Sequence, residues 1–256
     1  MEIVPYQLLI VCCTAFAAGF VDAVVGGGGL VQLPVTLITF PQYPVAAIVA
    51  SLKLPSFTGT AIAAKQYLKR VNVQWSLVAV LAAVAFAASF LGSRLLTQVG
   101  NNFMKPVLLV VLSAVAVYTF IKKDLGAFSD ELLPHNLLLL RGAAICATVG
   151  FYDGFIGPGT GSFFMLLFVS LLRFDFLHAS AYARLVNLAT NAASLIYFIA
   201  KGIIIWKLAL PMAAANAAGG YVGAQVATRK GNAFIRQVFL IVVLAILFRF
   251  AWDVFG

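Results

Sequence analysis

Apolar stretches of about 20 residues recur along this chain, each long enough for an α-helix to cross the hydrocarbon core of a bilayer. Hydrophobic residues make up 63% of the 256 positions and charged residues 10%. A soluble domain has about 25% charged residues, so this chain has too few of them to cover a water-facing surface. The sequence therefore predicts an all-α, polytopic helical membrane protein with the lipid bilayer as its main solvent.

Hydropathy predicts about eight spanning segments, separated by polar or Pro/Gly-rich joints. They cover residues 7–25, 44–64, 75–93, 106–121, 136–155, 178–200, 207–227 and 233–252. The longest polar joint lies near the middle of the chain and contains Lys122, Lys123, Asp124, Asp130 and Glu131. We therefore expect a first transmembrane repeat at residues 1–123, a polar linker at 124–135 and a second transmembrane repeat at 136–256.

Two glycine-rich runs, Gly26 to Gly29 and Gly157 to Gly161, are each predicted to break a helix. A short apolar piece follows each run, at residues 30–40 and 162–172. At about 1.5 Å per residue, such a piece reaches only ~16 Å, or about half of the bilayer. Short, glycine-interrupted segments at matching places in two halves are the pattern expected of a transporter's binding site.

The two halves match without gaps at an offset of 131 residues (153 − 22 = 131). Acidic, basic, tryptophan and glycine positions all recur at this offset, in the pairs Asp22/Asp153, Lys53/Arg184, Trp75/Trp206 and Gly92/Gly223. Paired charges in one register indicate a duplicated four-segment unit. An even number of crossings per unit makes the two copies parallel and an odd number makes them inverted; the sequence leaves both arrangements open.

Four charged side chains, Asp22, Asp153, Lys53 and Arg184, lie inside apolar stretches. A charge at the bilayer centre costs about 2.5 kcal/mol or more, so such residues usually face a cavity and act there. Helix N-termini at the glycine breaks attract anions through free N–H groups and a partial positive charge. Together with two cations, they predict an anion site between the repeats. The predicted substrate-binding residues are Lys53, Arg184, Gly27, Gly28, Gly29, Gly159, Thr160, Gly161, Asn187 and Asn191.

Asp22 and Asp153 have two interpretations. In the structural one, each carboxylate caps the loop that follows it or pairs with a basic residue, which leaves neither charge bare. In the functional one, one or both carboxylates bind the proton or hold the cation that couples transport.

The stretches GFVDAVVGGGGLVQLP at 19–34 and GFYDGFIGPGTGSFF at 150–164 resemble the paired signatures of the TauE/SafE sulfite exporter family. KLPSFTGT at 53–60 and ARLVNLATN at 183–191 are similar to the family's second-segment motifs. The resemblance covers essentially the whole chain. It implies a bacterial inner-membrane transporter, in a family linked to sulfite, sulfonates and related organic anions. One departure is Pro55, which has no proline counterpart at Val186.

Basic residues near the loops favour cytoplasmic termini, because Lys and Arg collect in cytoplasmic loops. An alternating eight-segment topology places nine of them, Lys65, Lys69 and Arg70 included, on the side of both termini and six on the other. The net charge of +9 has the same origin, so nucleic acid is not an expected partner. A homo-oligomer is compatible with the sequence.

The predicted function is transport, in the exporting direction, of a small anion by a protein that is not an enzyme and needs no cofactor or metal. A passive anion channel is the main alternative. An intramembrane aspartyl protease using Asp22 and Asp153 is a second, but its Gly-x-Gly-Asp element is missing. A cation or metal transporter would need more carboxylate or His ligands than these segments supply.

Overall fold

A computed structural model describes residues 4–100 and 133–255, and the described part is built of eight α-helices without any strand. The helices are α1 (Pro5–Val25), α2 (Gly28–Thr39), α3 (Val45–Tyr67), α4 (Trp75–Gln98), α5 (His135–Phe155), α6 (Thr160–Leu172), α7 (Phe176–Ala200) and α8 (Trp206–Phe255). The predicted segment 106–121 and most of the predicted linker 124–135 lie outside the described residues.

The lengths of the helices match the segments predicted from hydropathy. Five of them, α1, α3, α4, α5 and α7, have 21 to 25 residues and are apolar enough to cross a membrane. In contrast, α2 and α6 have only 12 and 13 residues, as the glycine breaks predict. Helix α8 covers two predicted segments and leaves helical geometry at Gly231, within the predicted joint. The prediction of a polytopic helical membrane protein with two half-length helices is confirmed.

The helix starts repeat at the offset seen in the sequence. Helices α3 and α7 begin at Val45 and Phe176 (176 − 45 = 131), and α4 and α8 begin at Trp75 and Trp206 (206 − 75 = 131). Helix α3 continues through Pro55, so the proline does not end the helix in this copy. The division of the chain at residue 123 stays a prediction, because that residue is not among the described ones.

Two apolar core clusters lie towards opposite ends of the helices. Cluster I contains Val11, Ala15, Leu33, Phe40, Val45, Ile48, Leu96, Phe198, Leu208 and Met212 among its buried residues. Cluster II contains Ala23, Val25, Ala63, Tyr67, Leu77, Leu81, Ile145, Phe168, Phe176 and Ala224 among its own. Each long helix passes from one cluster to the other, so the clusters define the direction in which each helix runs.

The two copies are inverted relative to each other. Helices α1 and α3 and the part of α8 before Gly231 run from cluster I to cluster II, whereas α4, α5 and α7 run the opposite way. Equivalent helices of the two copies, such as α1 and α5, therefore point in opposite directions. Hydrogen bonds support this assignment, since Ile205 N donates to Ser51 Oγ and Gln74 N donates to Tyr182 Oη, each over 2.8 Å.

Each copy packs its first helix against the fourth helix of the other copy. A Cβ on Gly92 of α4 would lie 2.2 Å from the carbonyl oxygen of Phe151 on α5. A Cβ on Gly223 of α8 would lie 2.4 Å from the carbonyl oxygen of Phe20 on α1. These two contacts are related by the offset of 131. Glycine is required at both positions because the backbones touch there.

The helix directions correct the side to which several basic residues were assigned. Lys65, Lys69 and Arg70 lie at or just beyond the cluster II end of α3, and α1 begins at cluster I. These residues therefore lie at the end opposite to Pro5. The alternating eight-segment topology put them on the side of the N-terminus, and that placement is wrong. It failed because α2 and its flanking loops return the chain, which makes α1 and α3 parallel.

We expect Gly92→Ala to lower the thermal unfolding midpoint of the detergent-purified protein, followed by tryptophan fluorescence. The added methyl group forces α4 away from α5, and overpacking of this kind costs about 1–3 kcal/mol. Gly100→Ala is the matched control, because a Cβ there meets nothing within 4 Å. Equal midpoints for the two variants would contradict the close packing of α4 on α5.

Candidate functional site

The two glycine breaks meet in the interior of the fold. Helix α1 ends just before Gly26 and α6 begins just after Gly159. Both glycines have a φ of 83°, a conformation that glycine adopts readily. Ser162 N donates a hydrogen bond to Gly26 O over 3.0 Å. A Cβ on Gly26 would lie 2.1 Å from the carbonyl carbon of Gly161. The breaks therefore cross in direct backbone contact, which a larger residue at position 26 would prevent.

Lys53 of the first copy bonds to the break of the second. Its Nζ lies 3.0 Å from Asp153 Oδ1 and donates to the carbonyl oxygen of Asp153 over 2.5 Å. Both side chains are buried, with 4% of Lys53 and 2% of Asp153 exposed. Removal of one partner from a buried ion pair destabilises the protein, because the other charge is then buried without a counter-charge.

Arg184 of the second copy bonds to the break of the first. Its guanidinium donates to the carbonyl oxygen of Asp22 over 2.7 Å and also to the carbonyl oxygen of Ala23. A further bond runs to Ser180 O over 2.9 Å, and the guanidinium carbon lies 4.5 Å from the centre of the Tyr67 ring. Contacts of this type, including stacking on an aromatic ring, suit the planar Arg side chain.

The two cations thus occupy equivalent places. Each one crosses to the other copy and binds the backbone carbonyl of the aspartate that precedes the glycine break. These carbonyls lie near the C-terminal end of α1 or α5, where helix carbonyls carry a partial negative charge. The Asp22 carbonyl also accepts the N–H of Gly26 over 2.8 Å. The pairs Lys53–Asp153 and Arg184–Asp22 therefore hold the ends of the broken helices in place.

The two carboxylates differ in what their oxygens contact. Asp22 accepts hydrogen bonds from the Gly28 N–H and, over 3.4 Å, from Thr60 Oγ1. Asp153 uses Oδ1 for Lys53, while its buried Oδ2 has no hydrogen-bond partner among the described residues. Asp22 therefore has the partners of a structural cap, which fits the structural interpretation, and Asp153 keeps one oxygen unpaired.

A small cavity opens where the breaks cross. About 50 Å³ of it admits the centres of water-sized molecules. At about 10–15 Å³ per water, this space holds roughly three to five waters or one ligand of a few heavy atoms. Its walls contain Asp22, Gly26, Gly29, Gln32, Leu33, Val49, Leu52, Lys53, Ser56, Asp153, Ile156, Gly157, Pro158, Gly159, Thr160, Gly161, Asn187 and Asn191.

Most of the residues predicted for the site line this cavity. Those that do are Lys53, Gly29, Gly159, Thr160, Gly161, Asn187, Asn191, Asp22 and Asp153. Gly27, Gly28 and Arg184 do not line it. Gly28 packs instead against α1, since a Cβ there would lie 2.3 Å from Ala18 O. The guanidinium of Arg184 bonds to carbonyl groups of α1, including that of Asp22. Arg184 therefore contacts Asp22, which lines the cavity, but does not line the cavity itself.

The amide groups of α7 form one connected set beside the cavity. Asn191 Nδ2 donates to Asn187 O over 2.8 Å and to Asn187 Oδ1 over 3.0 Å. Thr190 Oγ1 also donates to Asn187 O over 2.9 Å. These bonds fix the orientation of both amides, which a binding site requires of its polar groups.

Gln32 lines the cavity but is not among the residues predicted from the sequence. It lies on the half-length helix α2, is 1% exposed, and its Nε2 donates to no described acceptor. Its Oε1 accepts a bond of 3.4 Å from Asn216 Nδ2 on α8. The available signal was a single amide in an otherwise apolar half-length segment, where a buried polar group is costly without a function.

The family model for the sulfite exporter TauE/SafE matches residues 11–250, nearly the whole chain. The chain belongs to the sulfite exporter TauE/SafE family. A probable membrane transporter protein of Haemophilus influenzae is 33% identical over 254 residues, covering 99% of this chain and 98% of that protein. One of Sinorhizobium is 33% identical over 241 residues, or 93% and 90% of the two chains. One of Escherichia coli is 31% identical over 252 residues, or 98% and 92%. No solved structure matches the chain.

Membership in the TauE/SafE family makes this protein a membrane transporter and not an enzyme. The site agrees with this, because Asp153 pairs with Lys53 instead of sharing a proton with Asp22 as the carboxylates of an aspartyl protease do. Within residues 4–100 and 133–255, no group of three or more His, Cys, Asp or Glu side chains is placed to hold a metal ion.

We expect Lys53→Met to destabilise this TauE/SafE protein by about 3–5 kcal/mol, because it leaves the Asp153 carboxylate buried without a counter-charge. The double variant Lys53→Met/Asp153→Asn removes both charges and is expected to recover most of the loss. Thermal unfolding midpoints of wild type, both single variants and the double variant measure this coupling. Additive effects of the two substitutions would show that the pair does not interact.

Proposed function

We propose that this protein is a carrier that exports a small anion, such as sulfite, a sulfonate or a related organic anion, across the bacterial inner membrane. The observation that carries the proposal is the position of Lys53. Its buried ammonium group lies in the wall of a small cavity, at the point where the broken helices of an inverted repeat cross. Inverted repeats with discontinuous helices around a central site are characteristic of secondary transporters.

The size and lining of the cavity support a small oxyanion. The space suits a few heavy atoms, which is the size of a sulfur atom with three oxygens. Gly29 and Gly161 line the cavity in the first turns of α2 and α6, where N–H groups lack helical partners and attract anions. The N–H groups of Thr160 and Ser162 already donate to Gly157 O and Gly26 O. The Nε2 of Gln32, which donates to no described acceptor, adds a hydrogen-bond donor. The anion would take the place of the Asp153 carboxylate at Lys53.

Arg184 has a supporting part in this proposal. Two carboxylates line the cavity, and one cation, Lys53, lines it with them. Arg184 lies directly behind Asp22 and bonds to its carbonyl, so its charge offsets that of Asp22. With both cations counted, the four charged groups are balanced before the substrate enters.

We further propose that the cluster II end of the molecule is cytoplasmic. Among the basic side chains whose position the structure describes, seven exposed ones lie at that end (Lys65, Lys69, Arg70, Arg141, Arg173, Arg229 and Lys230) and three at the cluster I end (Arg94, Lys201 and Lys207). Lys and Arg are enriched in cytoplasmic loops. The start of α1 then faces the outside, which replaces the expectation of a cytoplasmic N-terminus.

We expect proteoliposomes to take up labelled sulfite or methanesulfonate saturably. The Lys53→Ala substitution is expected to lower this uptake about tenfold or more, because that factor corresponds to the loss of one hydrogen bond to a charged group. Lys65→Ala, on the exposed face of α3, is the matched control. The Lys53→Ala/Asp153→Asn variant separates loss of binding from loss of folding. Preloading with unlabelled anion should accelerate uptake by a carrier; a passive channel would show no acceleration. Full uptake by the folded Lys53 variants would contradict the site.

The orientation is tested by labelling single cysteines with a membrane-impermeant maleimide, after Cys12, Cys13 and Cys146 are replaced by Ala. We expect Lys201→Cys to react in intact cells and Lys69→Cys to react only after permeabilisation, because the two positions lie at opposite ends of the molecule. The reverse pattern would contradict the proposed orientation.

A further inference from the structure

Asp153 combines three properties. It is 2% exposed, it lines the cavity, and it forms the ion pair with Lys53. Its second oxygen, Oδ2, is buried and accepts no hydrogen bond from the described residues. A carboxylate oxygen buried without a donor is unfavourable, and a proton or a ligand in the cavity would relieve it.

An anion that binds Lys53 competes directly with this carboxylate. If Asp153 stayed ionised, two negative charges would share one ammonium group inside a buried site. Charges taken out of water without a counter-charge cost several kcal/mol each. A proton on Asp153 Oδ2 removes this cost, because the neutral acid no longer needs Lys53 and the anion takes over its position.

We propose that Asp153 takes up a proton when an anion displaces it from Lys53, so that one proton travels with each anion. The inference rests on the proposed function and names its coupling ion. On binding, an O–H bond forms at Oδ2 and the Lys53–Asp153 ion pair is exchanged for a Lys53–anion pair. On release, the proton leaves and the ion pair forms again, so the site is charge-balanced in both states.

The groups around Asp153 favour this carboxylate over Asp22. The described charged or titratable side chains near it are Lys53 on α3, Asp22 on α1, Tyr152 on α5 and, behind Asp22, Arg184 on α7. The facing side chains of α4, α6 and α7 are uncharged: Ser93, Thr160, Asn187 and Asn191. Asp22 has the Gly28 N–H and Thr60 as partners and does not bond to Lys53, so an anion at Lys53 leaves its contacts intact.

The coupling makes the direction of transport depend on two gradients. The proton and the monovalent anion together carry no net charge, so the membrane potential does not drive their joint movement. Export then occurs when the outward anion gradient exceeds the opposing pH gradient, as it would for an anion that accumulates inside the cell.

Methanesulfonate is a suitable probe because it stays ionised near neutral pH and brings no proton of its own. Proteoliposomes with a trapped pH indicator, held at zero potential by valinomycin and equal K⁺, receive labelled methanesulfonate or sulfite from outside. Anion entry and lumenal acidification are measured in the same vesicles. We expect about one proton per methanesulfonate in wild type.

Asp153→Asn imitates the protonated state and is expected to carry the anion with a proton-to-anion ratio near zero. Sulfite can itself carry protons into the vesicle. For sulfite, the proton-to-anion ratio of Asp153→Asn is therefore subtracted from that of wild type. Asp22→Asn is the matched variant, and its ratio, whatever its rate, should equal that of wild type. Thermal unfolding midpoints show that each variant is folded.

The outcomes separate the two proposals. Anion entry without acidification in wild type, or an unchanged ratio in Asp153→Asn, overturns proton coupling through Asp153 and leaves the anion carrier intact. If Asp22→Asn is the variant in which the proton-to-anion ratio falls to zero, the proton binds Asp22, and this outcome also overturns the inference. Entry of neither anion overturns the proposed function and the inference with it.

Discussion

The centre of this molecule depends on two buried basic side chains, each of which bonds to the broken helix of the other copy. A helix that stops inside a membrane exposes carbonyl groups that water cannot reach, and each must find a donor. Lys53 supplies a donor at the break in the second copy. Arg184 supplies donors at the break in the first, together with the Gly26 N–H and the Tyr67 hydroxyl. The chain can therefore end α1 and α5 in its interior, start α2 and α6 beside them, and leave a polar cavity between them.

The copies keep the same framework but differ in the groups that face the cavity and the helix contacts. Lys53 reaches a carboxylate as well as a carbonyl, whereas Arg184 binds carbonyls. Gln32 corresponds to Phe163 (163 − 32 = 131), so one half-length helix brings an amide to the cavity, whereas the other packs a ring against Tyr152 at the equivalent position. Between α4 and α7, buried hydroxyls are bonded to one another, at Ser89, Ser93 and Ser194. The equivalent positions between α8 and α3 are Gly220, Ala224 and Ala63. Such hydroxyl bonds tie helices together within a membrane.

Much of this architecture was predictable from the sequence, since hydropathy and glycine breaks are local properties of the chain. The half-length helices α2 and α6 and the common offset of 131 follow from them directly. The inversion of the copies was not predictable, because it depends on whether the chain returns after each break, and a 12-residue helix is too short for hydropathy to decide. The placement of Arg184 behind Asp22 was also missed. Charge alone does not show whether a buried guanidinium faces a cavity or binds helix carbonyls, and that choice depends on the other copy.

The inverted orientation of the two copies limits how a protein consisting of a single copy could assemble. Every close contact described between helices α1 and α8, or α4 and α5, joins one copy to the other, so a single copy could recover them only in an antiparallel homodimer. Its two subunits would have to insert in opposite orientations, and a sequence that does so cannot carry a strong bias of Lys and Arg towards one face. Fusion removes that restriction. Arg229 and Lys230 now stand where the first copy has Gln98 and Val99, and Arg173 where it has Gln42. The fused chain was free to acquire a polarity that neither half could have had alone.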